Sequence, residues 1–198
     1  PVDPTDSVIP WTYSGGIVHE VEFSQEVDEY LSVTFGMDFQ RELVEGEDDA
    51  EPLPSPAYPA ASFVYGWPEL EVLVDGGALG DTRSFSLTMS HGVNRERYYM
   101  RRQTLKKQPI RAEIPEFTGS LTFDYADNDI YDVIRNSEIV PIVAEWRHPD
   151  PDAIAPGVTY FLRITMNAQF TGNTPQVSLD DLPTHEVEFT CLHDGSNP

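Results

Sequence analysis

Cysteine occurs once, at Cys191, so no internal disulfide can form and no cystine framework can hold the fold. Basic residues are scarce too: 12 Lys and Arg stand against 34 Asp and Glu, a formal net charge of -22 at pH 7. That surplus repels polyanions and argues against a protein that coats duplex DNA or docks on anionic lipid. No apolar run approaches the roughly 20 residues of a spanning helix, and no basic-then-apolar leader is visible, so a soluble protein without a membrane anchor is expected. Catalytic and metal signatures are missing as well. The five histidines, His19, His91, His148, His185 and His193, never fall at the i, i+4 spacing of a helical metal pair, and Cys191 with His193 supplies only two ligands. Gly76, Gly77 and Gly80 lack the Lys and the strand-to-helix context of a phosphate loop. Nothing singles out two of the 34 carboxylates as a hydrolytic pair. The expectation is a non-enzyme with no cofactor and no metal.

What the chain has is length, proline and unevenly placed charge. Its 198 residues suffice for one ordinary domain that buries a sizeable core without cross-links. Residues 1–80 carry 17 acidic groups and one basic group, residues 81–111 eight basic and two acidic, and residues 112–198 fifteen acidic and three basic. A repeating assembly could set the basic stretch of one copy against an acidic face of the next; a solvated acidic surface with one positive loop is the other reading. The stretch itself is Arg95, Arg97, Arg101, Arg102, Lys106, Lys107 and Arg111 with Tyr98 and Tyr99 inside it. Positive and stacking groups together resemble a single-strand nucleic-acid patch, but the overall charge favours contacts between subunits.

Period-two alternation dominates the rest. Residues 17–24 set Ile17, His19, Val21 and Phe23 against Glu20 and Glu22. Residues 31–43 place Val33, Phe35, Met37 and Phe39 on one side. Strands are also expected at 69–77 with an Asp75-Gly76-Gly77 turn, and at 83–92, 118–126, 158–170 and 185–195. In the last, Val187, Phe189 and Cys191 point inward, which makes Cys191 a small buried hydrophobe. A single helix is expected over 127–137, with Asp127 or Asp129 as cap and Ile130, Val133 and Ile134 on one face. Residues 46–59 contain Glu47, Asp48, Asp49 and Glu51 and four prolines, which deny them a helix or a sheet ladder. They form a long acidic loop without the ligand spacing of a calcium site. Residues 149–157 read as a second loop. The organisation expected is an N-terminal arm or linker at 1–16, one β-rich domain at 17–195 and a short C-terminal end at 196–198. The fold class is mainly β, a β-sandwich or partly closed β-barrel with one short flanking helix.

The order of RSFSLTMSHGVNRERYYM at 83–100, PIRAEIPEFTGSLTFDYADNDIYDVI at 109–134 and ITMNAQFTGNTPQVSLDDLPTHEVEFTCLHDG at 164–195 resembles the tail tube proteins of long-tailed bacteriophages. The middle segment is similar to that family's passage from a T-G-S strand into a D-x-D-x-Y-D helix, and the last to its final hairpin. The resemblance covers roughly residues 70–195 and implies a domain assembled into hexameric rings. Stacked rings then form a hollow virion tube through which DNA passes without sequence-specific binding. It further implies self-association, a tape-measure protein, a tail terminator and tail-tip proteins as partners, and assembly in the host cytoplasm. A tail terminator or connector ring, and a non-polymerising virion decoration or carbohydrate-binding sandwich, are the alternatives.

Within that frame Glu20, Glu22, Asp38 and Glu42 are the candidate lumen-facing groups. The seven basic residues from Arg95 to Arg111 are the candidate ring or inter-ring contacts, opposite Glu47, Asp48, Asp49 and Glu51. Trp11 and Tyr13 are candidate anchors of the N-terminal arm.

Overall fold

The computed structural model describes residues 11–44, 63–79, 81–100, 102, 105–124, 129–171 and 184–192. The acidic loop at 46–59, Arg101, Tyr125, Asp127 and His193 lie outside the described residues, as do residues 1–10 of the expected arm.

The chain is mainly β. Its strands are β1 (Trp11–Ser14), β2 (Ile17–Glu26), β3 (Ser32–Asp38), β4 (Arg41–Val44), β5 (Leu70–Val74), β6 (Gly77–Ala78) and β7 (Thr82–Ser90). These are followed by β8 (Val93–Asn94), β9 (Ile110–Arg111), β10 (Glu116–Asp124), β11 (Ile139–Arg147), β12 (Phe161–Thr171) and β13 (Thr184–Cys191). One helix, α1 (Asp129–Asn136), and a single 3-10 turn at Trp67–Glu69 complete the described elements. Nine strands form one sheet in the order β3-β2-β7-β10-β13-β12-β11-β5-β6, while β1 pairs with β4 and β8 with β9 in two small ribbons.

The chain divides into two compact units. The larger comprises residues 21–34, 63–90 and 116–198 and contains most of the sheet. Its core is one face of the six central strands: Val72 and Val74 from β5, Phe85 and Leu87 from β7, Leu121 and Phe123 from β10, and Val140, Ile142, Ala144 and Trp146 from β11. Met166, Ala168 and Phe170 from β12 and Val187 and Phe189 from β13 complete it. Period-two spacing produces that face directly, because successive Cβ atoms point to opposite sides of a strand. The sheet curls onto itself. Strands β7 and β11 are four places apart, about 19 Å in a flat sheet at 4.7–4.9 Å per strand, yet the rings of Phe85 and Trp146 meet edge to face at 5.7 Å between centroids. From β2, five places from β11, Gln25 accepts a 2.5 Å hydrogen bond from the indole N–H of Trp146. Near the rim Leu31 N donates to Tyr65 O at 2.8 Å, tying the start of β3 to the chain entering β5. The curl therefore encloses an apolar interior without closing into a barrel.

Two local solutions matter for the fold. The turn between β5 and β6 has positive φ at both Asp75 (50°) and Gly76 (79°), the geometry a tight hairpin needs. Helix α1 ends at Ser137, whose φ of 53° places its N–H on Ile134 O while Glu138 N reaches Val133 O, a Schellman closure with serine where glycine is usual. Val133 and Ile134 pack on the core, as their spacing predicts.

On the outer side of the sheet Glu145 is buried between two arginines. Arg147 and Arg163 both donate to its carboxylate, Arg163 from the directly opposite position of β12, while the exposed Glu71 is its neighbour on β5. Hydrogen bonding from Arg147, reinforced by Arg163, outweighs the opposing effect of burial and holds the carboxyl below its usual range. A depressed folded pKa means that the stabilisation is complete above the ordinary carboxylate value of 4.5 and is lost as pH falls through the lower folded value. Glu145→Gln should therefore lower the thermal midpoint at pH 7 and lose less of it than wild type on acidification from pH 5 to pH 2, read by circular dichroism. Parallel acid profiles would remove this ion cluster from the account.

The smaller unit comprises residues 1–20, 35–62 and 91–115. It holds both ribbons and the outer ends of β2 and β3. The strand expected at 31–43 is here two strands. Phe39 and Gln40 interrupt it because the chain leaves the large sheet after β3 and pairs instead with β1, whose residues were expected in an arm. Gln40 N donates to Ser14 O at the corner. The apolar side of β3 is also exposed in part, at Phe35 and Met37.

Candidate functional site

Among the described residues no group of three or more His, Cys, Asp or Glu is placed to hold a metal ion. Cys191 is half-buried, and burial pushes its thiol up to about 11, so the thiolate is scarce at neutral pH. Surfaces are the better candidates, and two stand out.

The first is the polar side of β2, β7, β10 and β13 in the larger unit. Ser86 lies opposite Ser120, which lies opposite Glu188; Ser84, Thr122 and Glu186 form the next row, and Thr88, Thr118 and Thr190 another. The hydroxyls of Ser86 and Ser120 share a hydrogen bond of 2.8 Å. Along β2 the same alternation exposes Glu22 and Glu26. Glu116, Glu186 and Glu188 are exposed on their own strands; the three rows carry no Lys or Arg, and Arg83, at the edge beside Ser84 and Thr122, is ion-paired with Asp124. The result is a face of small hydroxyls and carboxylates. The missing signal was present in the alternation of residues 185–191, but only the register shows that Glu186 and Glu188 flank the serine rows.

Of the four lumen candidates, Glu20 and Glu22 are exposed on β2. Glu42 sits on β4 opposite Tyr13, and the two side chains are hydrogen-bonded; burial first, then the Glu42 charge and that bond, raise the Tyr13 hydroxyl above its usual value. Asp38 is half-buried and bound to Lys106 Nζ. It was expected on a different surface from Lys106; the two instead form one ion pair within the smaller unit. The physical reason is burial: neither charge could leave water without the other.

The second surface is the basic stretch of the smaller unit. Ribbon β8–β9 sets Val93 against Arg111 and Asn94 against Ile110. Within it Arg95 donates to His19 Nε2 at 2.8 Å, Arg97 donates to Gln108 O, and Arg97 and Lys107 both lie over the Tyr99 ring, at 5.8 and 5.3 Å. Arg102, Lys107 and Arg111 are exposed and have no acidic partner among the described residues. Between the basic groups Tyr98, Tyr99 and Met100 are exposed, Met100 completely. Their proposed partners Glu47, Asp48, Asp49 and Glu51, with Arg101, lie outside the described residues. Trp11 and Tyr13, the expected arm anchors, lie on β1 and are both exposed, and the Tyr13 ring meets Phe39 at 4.9 Å.

A family model described as phage tail tube protein matches residues 1–191. The chain belongs to the phage tail tube protein family. A search of curated proteins finds no match. The family match begins at residue 1 and so takes in the acidic stretch at 46–59 and the N-terminal strands, ahead of the residues 70–195 that carried the resemblance. The tail tube protein is thus a structural component of the virion tail, built for self-assembly with other tail proteins.

Proposed function

We propose that this tail tube protein polymerises as stacked rings, six copies to a ring, into a hollow tube through which the genome passes. The observation that carries the reading is the hydroxyl and carboxylate face of β2, β7, β10 and β13, whose three rows have no Lys or Arg and whose edge cation, Arg83, is bound to Asp124. Facing the channel, such a surface repels the phosphate backbone and gives passing DNA nothing to hold. Glu20 and Glu22, with Glu26, Glu186 and Glu188, are the lumen groups of this reading. Asp38 is bound to Lys106, while Glu42, exposed on β4 and hydrogen-bonded to Tyr13, stays among the lumen candidates. The exposed basic residues of the smaller unit make contacts between subunits. Ring closure satisfies sheet edges that an isolated copy leaves open. A tape-measure protein, a tail terminator and tail-tip proteins are the partners, and assembly takes place in the host cytoplasm.

Negative-stain microscopy of the purified chain across a concentration series tests the reading. Hollow rods of uniform width are expected, and Glu186→Lys with Glu188→Lys should leave rods intact while slowing DNA release from virions that carry them. Single rings that never stack would point to a terminator or connector, and persistent monomers to a decoration protein.

A further inference from the structure

In the larger unit the turn at Asp28–Tyr30 and the segment Phe63–Glu69 enclose a cleft of about 450 Å³. Its aromatic and aliphatic lining is open to solvent: Tyr30 is 70% exposed, Val64 57%, Trp67 45% and Phe63 43%. Asp28 and Glu29 stand on its rim, both exposed and without an ion-pair partner among the described residues. The cleft is built rather than incidental. Tyr30 bridges to Gly66, Gly66 N donates to Glu69 Oε2 at 2.7 Å, and the Phe63 ring rests on His148 at 4.1 Å. So much exposed aromatic surface beside two unpaired carboxylates fits a partner that is at once apolar and cationic.

The same chain carries that chemistry on its other unit. Tyr98, Tyr99 and Met100 are exposed beside Arg102 and Lys107. The geometry points to Tyr98, Tyr99 and Met100, with Arg102 and Lys107, of a second copy as the occupant of this cleft. Its tyrosine and methionine side chains enter against Tyr30, Phe63 and Trp67, and Arg102 and Lys107 face Asp28 and Glu29. Within one copy the two patches are different in charge and shape, so pairing them makes a head-to-tail contact, which propagates from copy to copy into a ring or filament. This inference rests on the self-assembly reading but names its own acceptor site.

Charge exchange tests it. One variant carries Arg102→Glu and Lys107→Glu. A second carries Asp28→Asn and Glu29→Lys, with asparagine chosen because the backbone at Asp28 has φ of 69°. A third combines all four. Self-association is followed by sedimentation over a concentration series at low salt, with a thermal melt to verify folding. Each separate variant should raise the concentration needed for assembly by at least about tenfold, and the combined variant should recover most of that loss. Trp67→Ser replaces the second variant if its melt is displaced, with the same weakening expected. Separate variants that assemble like wild type overturn the pairing and leave the cleft to another tail protein. A correctly folded combined variant no better than its parents overturns it as well. If wild type associates without forming rods, the tube reading fails while the exchange pattern still decides the contact; a wild type that stays monomeric throughout removes both.

Discussion

Replacing Trp146 with alanine is expected to lower stability by about 3–5 kcal/mol, the cost of emptying a large buried aromatic site. Trp146 is fully buried at the place where the two halves of the curled sheet meet. Its ring touches Phe85 and its N–H is held by Gln25, itself 2% exposed. Trp146→Phe separates the two contributions. It keeps most of the apolar volume but leaves the buried Gln25 oxygen without its donor, a loss of about 1–3 kcal/mol. Urea unfolding measures both, provided that the slope is unchanged so that midpoints report stability alone. If Trp146→Phe unfolds at the wild-type midpoint, the hydrogen bond between β2 and β11 contributes nothing net, and shape alone closes the sheet.

Gly119→Ala should be nearly as damaging although it adds a single methyl. The new Cβ would lie 2.3 Å from Ser86 O and 2.4 Å from Phe189 Cζ. Gly119 faces Phe189 across the β10–β13 pairing, and the ring occupies the space that the missing side chain leaves. A methyl there has to displace a ring from a full core and backbone from a ladder, for about 2–3 kcal/mol. Phe189→Leu should relieve only the first clash. The double variant should therefore be less unstable than the two separate losses added, by an interaction of about 0.5–3 kcal/mol, and still fall short of Phe189→Leu alone. Strict additivity would show that the ring does not constrain position 119.

These two sites differ in how far the sequence discloses them. The T-G-S segment at 118–120 is visible as a motif, and a glycine inside an alternating strand signals a close approach. Nothing local says that Phe189 fills the gap, because the partner is 70 positions away and becomes a neighbour only through sheet register. Strand β11 was missed for a related reason. Its run Ile-Val-Pro-Ile-Val-Ala-Glu-Trp does not alternate cleanly, and a proline normally argues against a central strand. Pro141 is tolerated because its carbonyl turns toward the end of β5, where Asp75 N donates to it at 2.9 Å and the ladder is already ending, so little is lost by its missing N–H.

The candidate surfaces divide in the same way. Net charge, the positive stretch from Arg95 to Arg111 and the exposed carboxylates of β2 are properties of composition and local period, and the sequence determined them unaided. So did the mainly β class, the Asp75-Gly76 turn and the single helix, since each depends on neighbours within a few residues. Only the tertiary structure decided which charges are spent internally. Lys106 and Asp38 neutralise each other across 68 positions, Glu145 is claimed by two arginines, and Trp146 finds its acceptor on β2. It also decided that serine rows and glutamates from four strands share one face, and that the aromatic cleft at Tyr30 and Trp67 exists at all. Burial and strand pairing join residues distant along the chain, and no local pattern carries the free energy of a contact that forms only when the sheet curls.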